Sequence, residues 1–116
     1  MNRENRNHLI DTYFEAMDED NFDAMEAAVS DSIQFESPGG TVSDVDEFRE
    51  YIEESRIFTH SEHDVTRRVH GAAKSVCEGT VSGQTPEGRV DGEFCDVFGF
   101  DGDEEQITDI SVYTRM

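Results

Sequence analysis

Acid–base chemistry in this chain has one natural focus, the stretch GRVDGEFCDVFGF at residues 88–100, where Asp96 interrupts a row of phenylalanines. On the two-residue period of a strand, Phe94, Asp96, Phe98 and Phe100 share one face, while Glu93, Cys95, Val97 and Gly99 share the other. A charged, unpaired carboxylate in such a row is costly. It has to be hydrogen-bonded, held neutral by a raised pKa, or set in the wall of a wet pocket, and each outcome implies a cavity.

Other groups are candidates to join it. With Pro86 as the centre of a hairpin turn, Glu78 pairs with Phe94 and Val76 with Asp96, which brings Glu78 to the inner face. Two carboxylates in a low-dielectric pocket push one pKa up, so one can act as acid and the other as base. A slip of one residue instead makes Glu78 one more solvated acid, and both registers stand. His60 and His63 lie where helix gives way to sheet, placed either to carry protons at a pocket mouth or to sit at the surface. Tyr13, Tyr51 and Tyr113 offer phenolic donors, with anchoring to backbone as the structural alternative.

The elements that position these residues follow from periodicity. Over residues 3–19, Leu9, Ile10, Tyr13, Phe14 and Met17 recur at helical steps, so Tyr13 faces inward. The break at residues 18–21 offers Asp20 or Asn21 as the N-cap of a short second helix carrying Phe22, Met25 and Val29. A brief strand at 32–37 ends in the turn Pro38-Gly39-Gly40. Ser43, with Asp46 three residues on, predicts the cap of a third helix over 44–56 whose inner stripe is Val45, Phe48 and Ile52. Four strands follow at 62–70, 75–83, 89–100 and 106–115, with short connections that favour antiparallel neighbours. The layout is α+β, with the helices on one face of a meandering sheet.

Composition bounds the rest. The 116 residues, 34% of them apolar, make one domain over 1–116 with a modest core. No apolar run approaches membrane-spanning length, and the start lacks the order of a secretory signal, so a cytoplasmic location is expected. Acidic residues number 28 against 9 basic ones, for a net charge of -19, and Lys74 is the single lysine. This resembles the solvated surfaces of proteins from salt-accumulating halophiles, where ionic strength screens self-repulsion. Such a field repels polyphosphate and anionic membrane, which disfavours nucleic acid as a partner. No spaced metal-ligand motif and no glycine-rich phosphate loop occurs, so neither metal nor cofactor is expected.

The order helix, helix, short strand, helix, four strands resembles the NTF2-like, or SnoaL-like, cone, in which three N-terminal helices pack on a curved, mostly antiparallel sheet. YFEAMDEDNFDAMEAAVSDSIQFESPGG is similar to that family's opening helices and first strand, and FCDVFGFDGDEEQITDISVYT to its closing strands. The resemblance covers essentially the whole chain. It implies a cavity-facing acid at Asp96, as in ketosteroid isomerases and SnoaL-type cyclases, and a partner at Tyr13, the isomerases' helix-one tyrosine. In those isomerases a tyrosine and a protonated aspartic acid form the oxyanion hole while a second aspartate is the base. That base position falls here on Ser37, which without an activating partner cannot take a carbon-bound proton, and Glu36 points to the opposite face. The family's epoxide hydrolases use an arginine two residues before the strand aspartate, where this chain has Phe94. The cyclases ask chiefly for the aspartate, with which Asp96 is compatible.

A site in so small a domain must be carved from the core itself, so Phe14, Met17, Phe35, Ser37, Phe48, Ile52, Phe94, Phe98, Ile110 and Val112 are the expected ligand-binding residues. The expected catalytic set is Asp96, Tyr13, Glu78 and His63, acting on a small hydrophobic molecule with a polar oxygen. The alternative is a non-catalytic dimeric binding or interaction module of the same fold. Cys77 and Cys95 are expected to face each other on the outer side of the sheet with Val97, on a half-apolar surface that pairs with a second subunit, since the family is often dimeric.

Overall fold

Residues 1–56 and 58–116 are described by a computed structural model. The first helix, α1 (Arg3–Asp18), begins where the Asn2 side chain accepts from the Asn5 N–H at 3.1 Å. It buries Leu9, Ile10, Tyr13, Phe14 and Met17, the stripe that the helical period predicts. It also buries Arg6, whose guanidinium reaches Glu104 at 2.6 Å and the carbonyls of Gly71 and Ala72 at 2.7 and 2.9 Å. A buried cation is tolerated when charge-paired and hydrogen-bonded in this way. The chain reverses through Asp20 at φ 52, a conformation that aspartate adopts more readily than most residues.

A single turn, α2 (Phe22–Met25), and a 3-10 turn over Glu26–Ala28 follow. Asn21 occupies the N-cap position of α2, but its side chain makes no capping bond. Strand β1 (Val29–Ser37) is longer than its alternating segment predicts, and turns through Pro38-Gly39 into a short partner, β2 (Gly40–Val42). The cap of α3 (Val45–Glu50) sits one residue beyond the expected Ser43. Asp44 accepts from the Glu47 N–H at 2.8 Å, and Glu47 Oε1 accepts from the Ser43 N–H at 2.9 Å, a reciprocal pair that closes the helix start. The helix then widens into a π-helical segment, Tyr51–Ser55.

Four long strands complete the fold: β3 (Thr59–His70), β4 (Lys74–Thr85), β5 (Gly88–Phe100) and β6 (Ile107–Arg115). They form one six-stranded sheet in the order β2-β1-β6-β5-β4-β3, antiparallel except where β1 runs parallel to β6. This is the α+β cone expected from the order of elements. Curvature comes from irregularities in β1 and β3. At Gly79, beside the β3 shift, an added Cβ would meet the Asp64 carbonyl oxygen at 1.9 Å, so only glycine fits.

The core lies between α1, α3 and the concave face. Phe48 packs at 4.7 Å from Phe35 and 5.7 Å from Phe22, ring centre to ring centre, and Phe98 lies 5.4 Å from Tyr13. Each fully buried ring contributes about 1.5–3 kcal/mol relative to exposure. Among the described residues no helix is long and apolar enough to cross a membrane.

Candidate functional site

Strand β5 presents Phe94, Asp96 and Phe98 to the core, all buried. Asp96 is 1% exposed, and its Oδ1 has no hydrogen-bond partner among the described residues. Burial pushes its carboxyl up to about 8, so the acid is mostly protonated at neutral pH. It borders a cavity of about 230 Å³ whose surface is mainly apolar. Tyr13 lines the same cavity from α1, and its hydroxyl is held well above the usual tyrosine range, first by burial and then by the nearby Asp96 carboxyl.

Of the expected ligand-binding residues, Met17, Phe35, Ser37, Phe94 and Val112 stand on the cavity wall. Phe14, Phe48, Ile52, Phe98 and Ile110 do not border it; they are consumed in packing behind it. The division reflects shape. The rings of Phe14 and Phe98 lie against each other and against Tyr13, at 5.1 to 5.9 Å, and of the three only Tyr13 borders the cavity. Ser37 is bonded to Tyr51, oxygen to oxygen at 3.2 Å, at the Pro38-Gly39 rim.

His63, from the inner face of β3, also borders the cavity. Its ring centre lies 5.1 Å from both Phe14 and Phe94, and its Nδ1 is 2.5 Å from Asp18 Oδ1. Burial raises the Asp18 carboxyl, but hydrogen bonds from the His63 ring and backbone and from Ser61 outweigh it and hold the group below its ordinary value. His60 is exposed at φ 52 and does not border the cavity.

Glu78 is not in the site, and the register is the reason. The β4–β5 turn is centred between Pro86 and Glu87, with Thr85 opposite Gly88, rather than on Pro86. This puts Cys77 opposite Asp96 and Glu78 opposite Cys95, so Glu78 points outward, half-exposed and 3.2 Å from Arg67. The same shift corrects the cysteines: Cys77 is buried on the inner face and only Cys95 is on the outer one. Burial pushes the Cys77 thiol up to about 12, which makes it an inert packing group.

Several residues on the cavity wall or just behind it carry no sequence signal of their own. Arg56 enters from the end of the third helix, donating to the Met17 carbonyl at 2.9 Å and to Ser61 Oγ at 2.8 Å. Asp18 reads in the sequence as one of a run of solvated acids, and only its helix-end position above β3 makes it a partner of His63. Phe58, Val81, Thr114 and Met116 complete the wall. Among the described residues, no three His, Cys, Asp or Glu side chains are grouped as a metal ion would require.

Comparison with known proteins agrees with this architecture. No curated protein matches the sequence at a significant level. Solved structures do: an LEH-like epoxide hydrolase from M. tuberculosis is 20% identical, with 96% of this chain and 83% of that one covered at a TM-score of 0.81. A SnoaL-like polyketide cyclase fold from Shewanella denitrificans is 10% identical, covering 95% and 90% at 0.83. The epoxide hydrolase/cyclase-like enzyme SalBIII, of pyran ring formation in salinomycin, is 16% identical, covering 99% and 94% at 0.83. At such identities the likeness is one of fold. The family model of the SnoaL-like domain matches residues 10–110, most of the chain, and the protein therefore belongs to the SnoaL-like domain family.

Proposed function

We propose that the cavity binds a small, uncharged, mainly hydrophobic molecule bearing an oxygen, and that Asp96 serves it as an acid–base group in cyclase- or isomerase-type chemistry. The observation that carries this reading is the buried Asp96 carboxyl with an unpartnered Oδ1 on the wall of a mostly apolar cavity. A buried polar atom left without a partner is uncommon in a native fold and is costly unless something else satisfies it. A ligand oxygen does so, taking a hydrogen bond from the protonated acid.

Size and charge narrow the ligand. A cavity of about 150 Å³ takes one benzene, so about 230 Å³ suits one or two rings. Among the described residues, Arg56 is the one arginine or lysine on the wall, and Asp20 at 3.4 Å together with the Ser61–Asp18 link offsets its charge. An anionic ligand therefore gains little there.

The test is a screen of small ketones, lactones and epoxides in molar potassium chloride, with each hit repeated on Asp96→Asn and Tyr13→Phe. Turnover is expected to fall by about 10²–10⁴-fold in Asp96→Asn with the fold intact. Full turnover in that variant would falsify the acid–base role.

A second reading, a non-catalytic dimeric module, draws on the outer sheet face. There Val69, Val76 and Val97 form one cross-strand row, and Cys95 stands beside Tyr113, which is 62% exposed. Binding of a ketone without turnover by any variant would favour it.

A further inference from the structure

The carboxylate of Asp18 gathers three donors from β3. Its Oδ2 accepts from the His63 N–H at 2.9 Å, and its Oδ1 accepts from Ser61 Oγ at 2.9 Å and faces His63 Nδ1 at 2.5 Å. Ser61 is itself 2.8 Å from Arg56 Nη2, which donates to it. An ionised carboxylate can only accept, so the hydrogen between Asp18 and the imidazole belongs to the ring. A neutral His63 is thereby set as the Nδ1–H tautomer with a lone pair on Nε2. Nε2 makes no hydrogen bond among the described residues, and the ring is wedged against Phe14 and Phe94 on the wall that also holds Asp96.

We propose that His63 is the base of this cavity, positioned by Asp18, and that Asp96 is the acid that works with it on the α-carbon and carbonyl oxygen of an uncharged ketone. The proposal rests on the cavity reading above and deepens it, because it names the reaction class, enolisation, and supplies the base that Ser37 cannot. Nε2 takes the proton from the carbon beside the carbonyl. The C–H electron pair becomes the C=C bond of the enol, and the carbonyl π pair takes the proton of Asp96. A neutral ketone thus gives a neutral enol, an imidazolium and a carboxylate. Asp18 stabilises the imidazolium, and the enol hydroxyl donates back to Asp96. Returning the proton to the same carbon gives exchange with solvent, and returning it to a conjugated one gives a double-bond shift. No oxidant, reductant or metal is consumed. Asp18 is a positioning residue: it touches His63 and not the ligand.

The experiment uses the full chain, nitrogen-15 labelled, in molar potassium chloride. Imidazole proton–nitrogen correlation spectra read the His63 tautomer directly and need no ligand. The expected result is protonated Nδ1 and bare Nε2 in the neutral ring, shifting toward the Nε2–H form in Asp18→Asn, whose amide can donate to Nδ1. Cyclohexanone and 2-tetralone are then incubated with the protein in deuterated buffer and their α-deuteration followed by proton NMR. Exchange is expected to fall at least about a hundredfold in His63→Gln, with ketone affinity from shift titration retained within a few-fold. Should Asp18→Asn fail to fold, His63→Gln carries the test. An Nε2–H tautomer in the wild type overturns the proposal, as does a bound ketone that is not deuterated. Exchange that survives in His63→Gln and is lost in Asp96→Asn removes His63 but leaves the cavity reading intact. If neither ketone binds, the cavity reading loses its support, and the tautomer alone then decides the dyad.

Discussion

Cys77 and Asp96 stand opposite each other in neighbouring antiparallel strands, and both are buried on the inner face of the sheet. This one pairing decides that Asp96 faces the cavity without Glu78. It puts Glu78 into solvent and sets the two cysteines on opposite faces, where no bond between them within one chain is geometrically open.

Asp96 makes stability depend on pH in a direction opposite to most carboxylates. Its ordinary value is 3.8 and its folded value about 8, so the folded state holds the proton more tightly than the unfolded one. Its stabilising contribution is complete below about pH 4, declines as pH rises toward about 8, and is gone above that. Relative to Asp96→Asn, the wild type should lose up to about 1.4 kcal/mol per pH unit across this window. Urea melts of both proteins at several pH values check this. A stability difference that stays constant from pH 4 to 8 would mean that the carboxyl is solvated.

A homodimer through the outer face is expected, built on Val97, Tyr113 and Cys95 and independent of any disulfide. Sizing in molar salt should give the same dimer with and without reductant, and Tyr113→Glu should shift it toward monomer. A monomeric wild type under both conditions removes this interface.

Salt should stabilise the fold. With a net charge of -19 and even the single lysine engaged by Asp109 at 2.6 Å, little positive charge is left to offset carboxylate repulsion. The screening length falls from about 10 Å at 0.1 M to about 3 Å at 1 M. Circular dichroism melts should therefore rise in Tm between low and molar potassium chloride, and an unchanged Tm would sink the salt-adapted reading.

What the sequence by itself determined is what local periodicity controls. Side-chain direction alternates along a strand and recurs each helical turn, so the inward placement of Asp96, Phe94 and Phe98 and of Tyr13 and Met17 was legible before any fold was known. The order of elements was legible for the same reason, and with it the α+β cone. What only the tertiary structure decided are relations between elements. The β4–β5 register hangs on whether the turn holds an even or odd number of residues, and one residue moves Glu78 and Cys77 across the sheet. Which buried rings border the cavity, Phe35 and Phe94 but not Phe48 and Phe98, depends on how the helices pack on the sheet, since all four fall on inward-facing positions of their elements. Asp18 and His63 lie far apart in sequence and meet only because α1 ends above β3. In the chain Asp18 is one carboxylate in an acidic run, and its three hydrogen bonds exist only once the strand is beneath it.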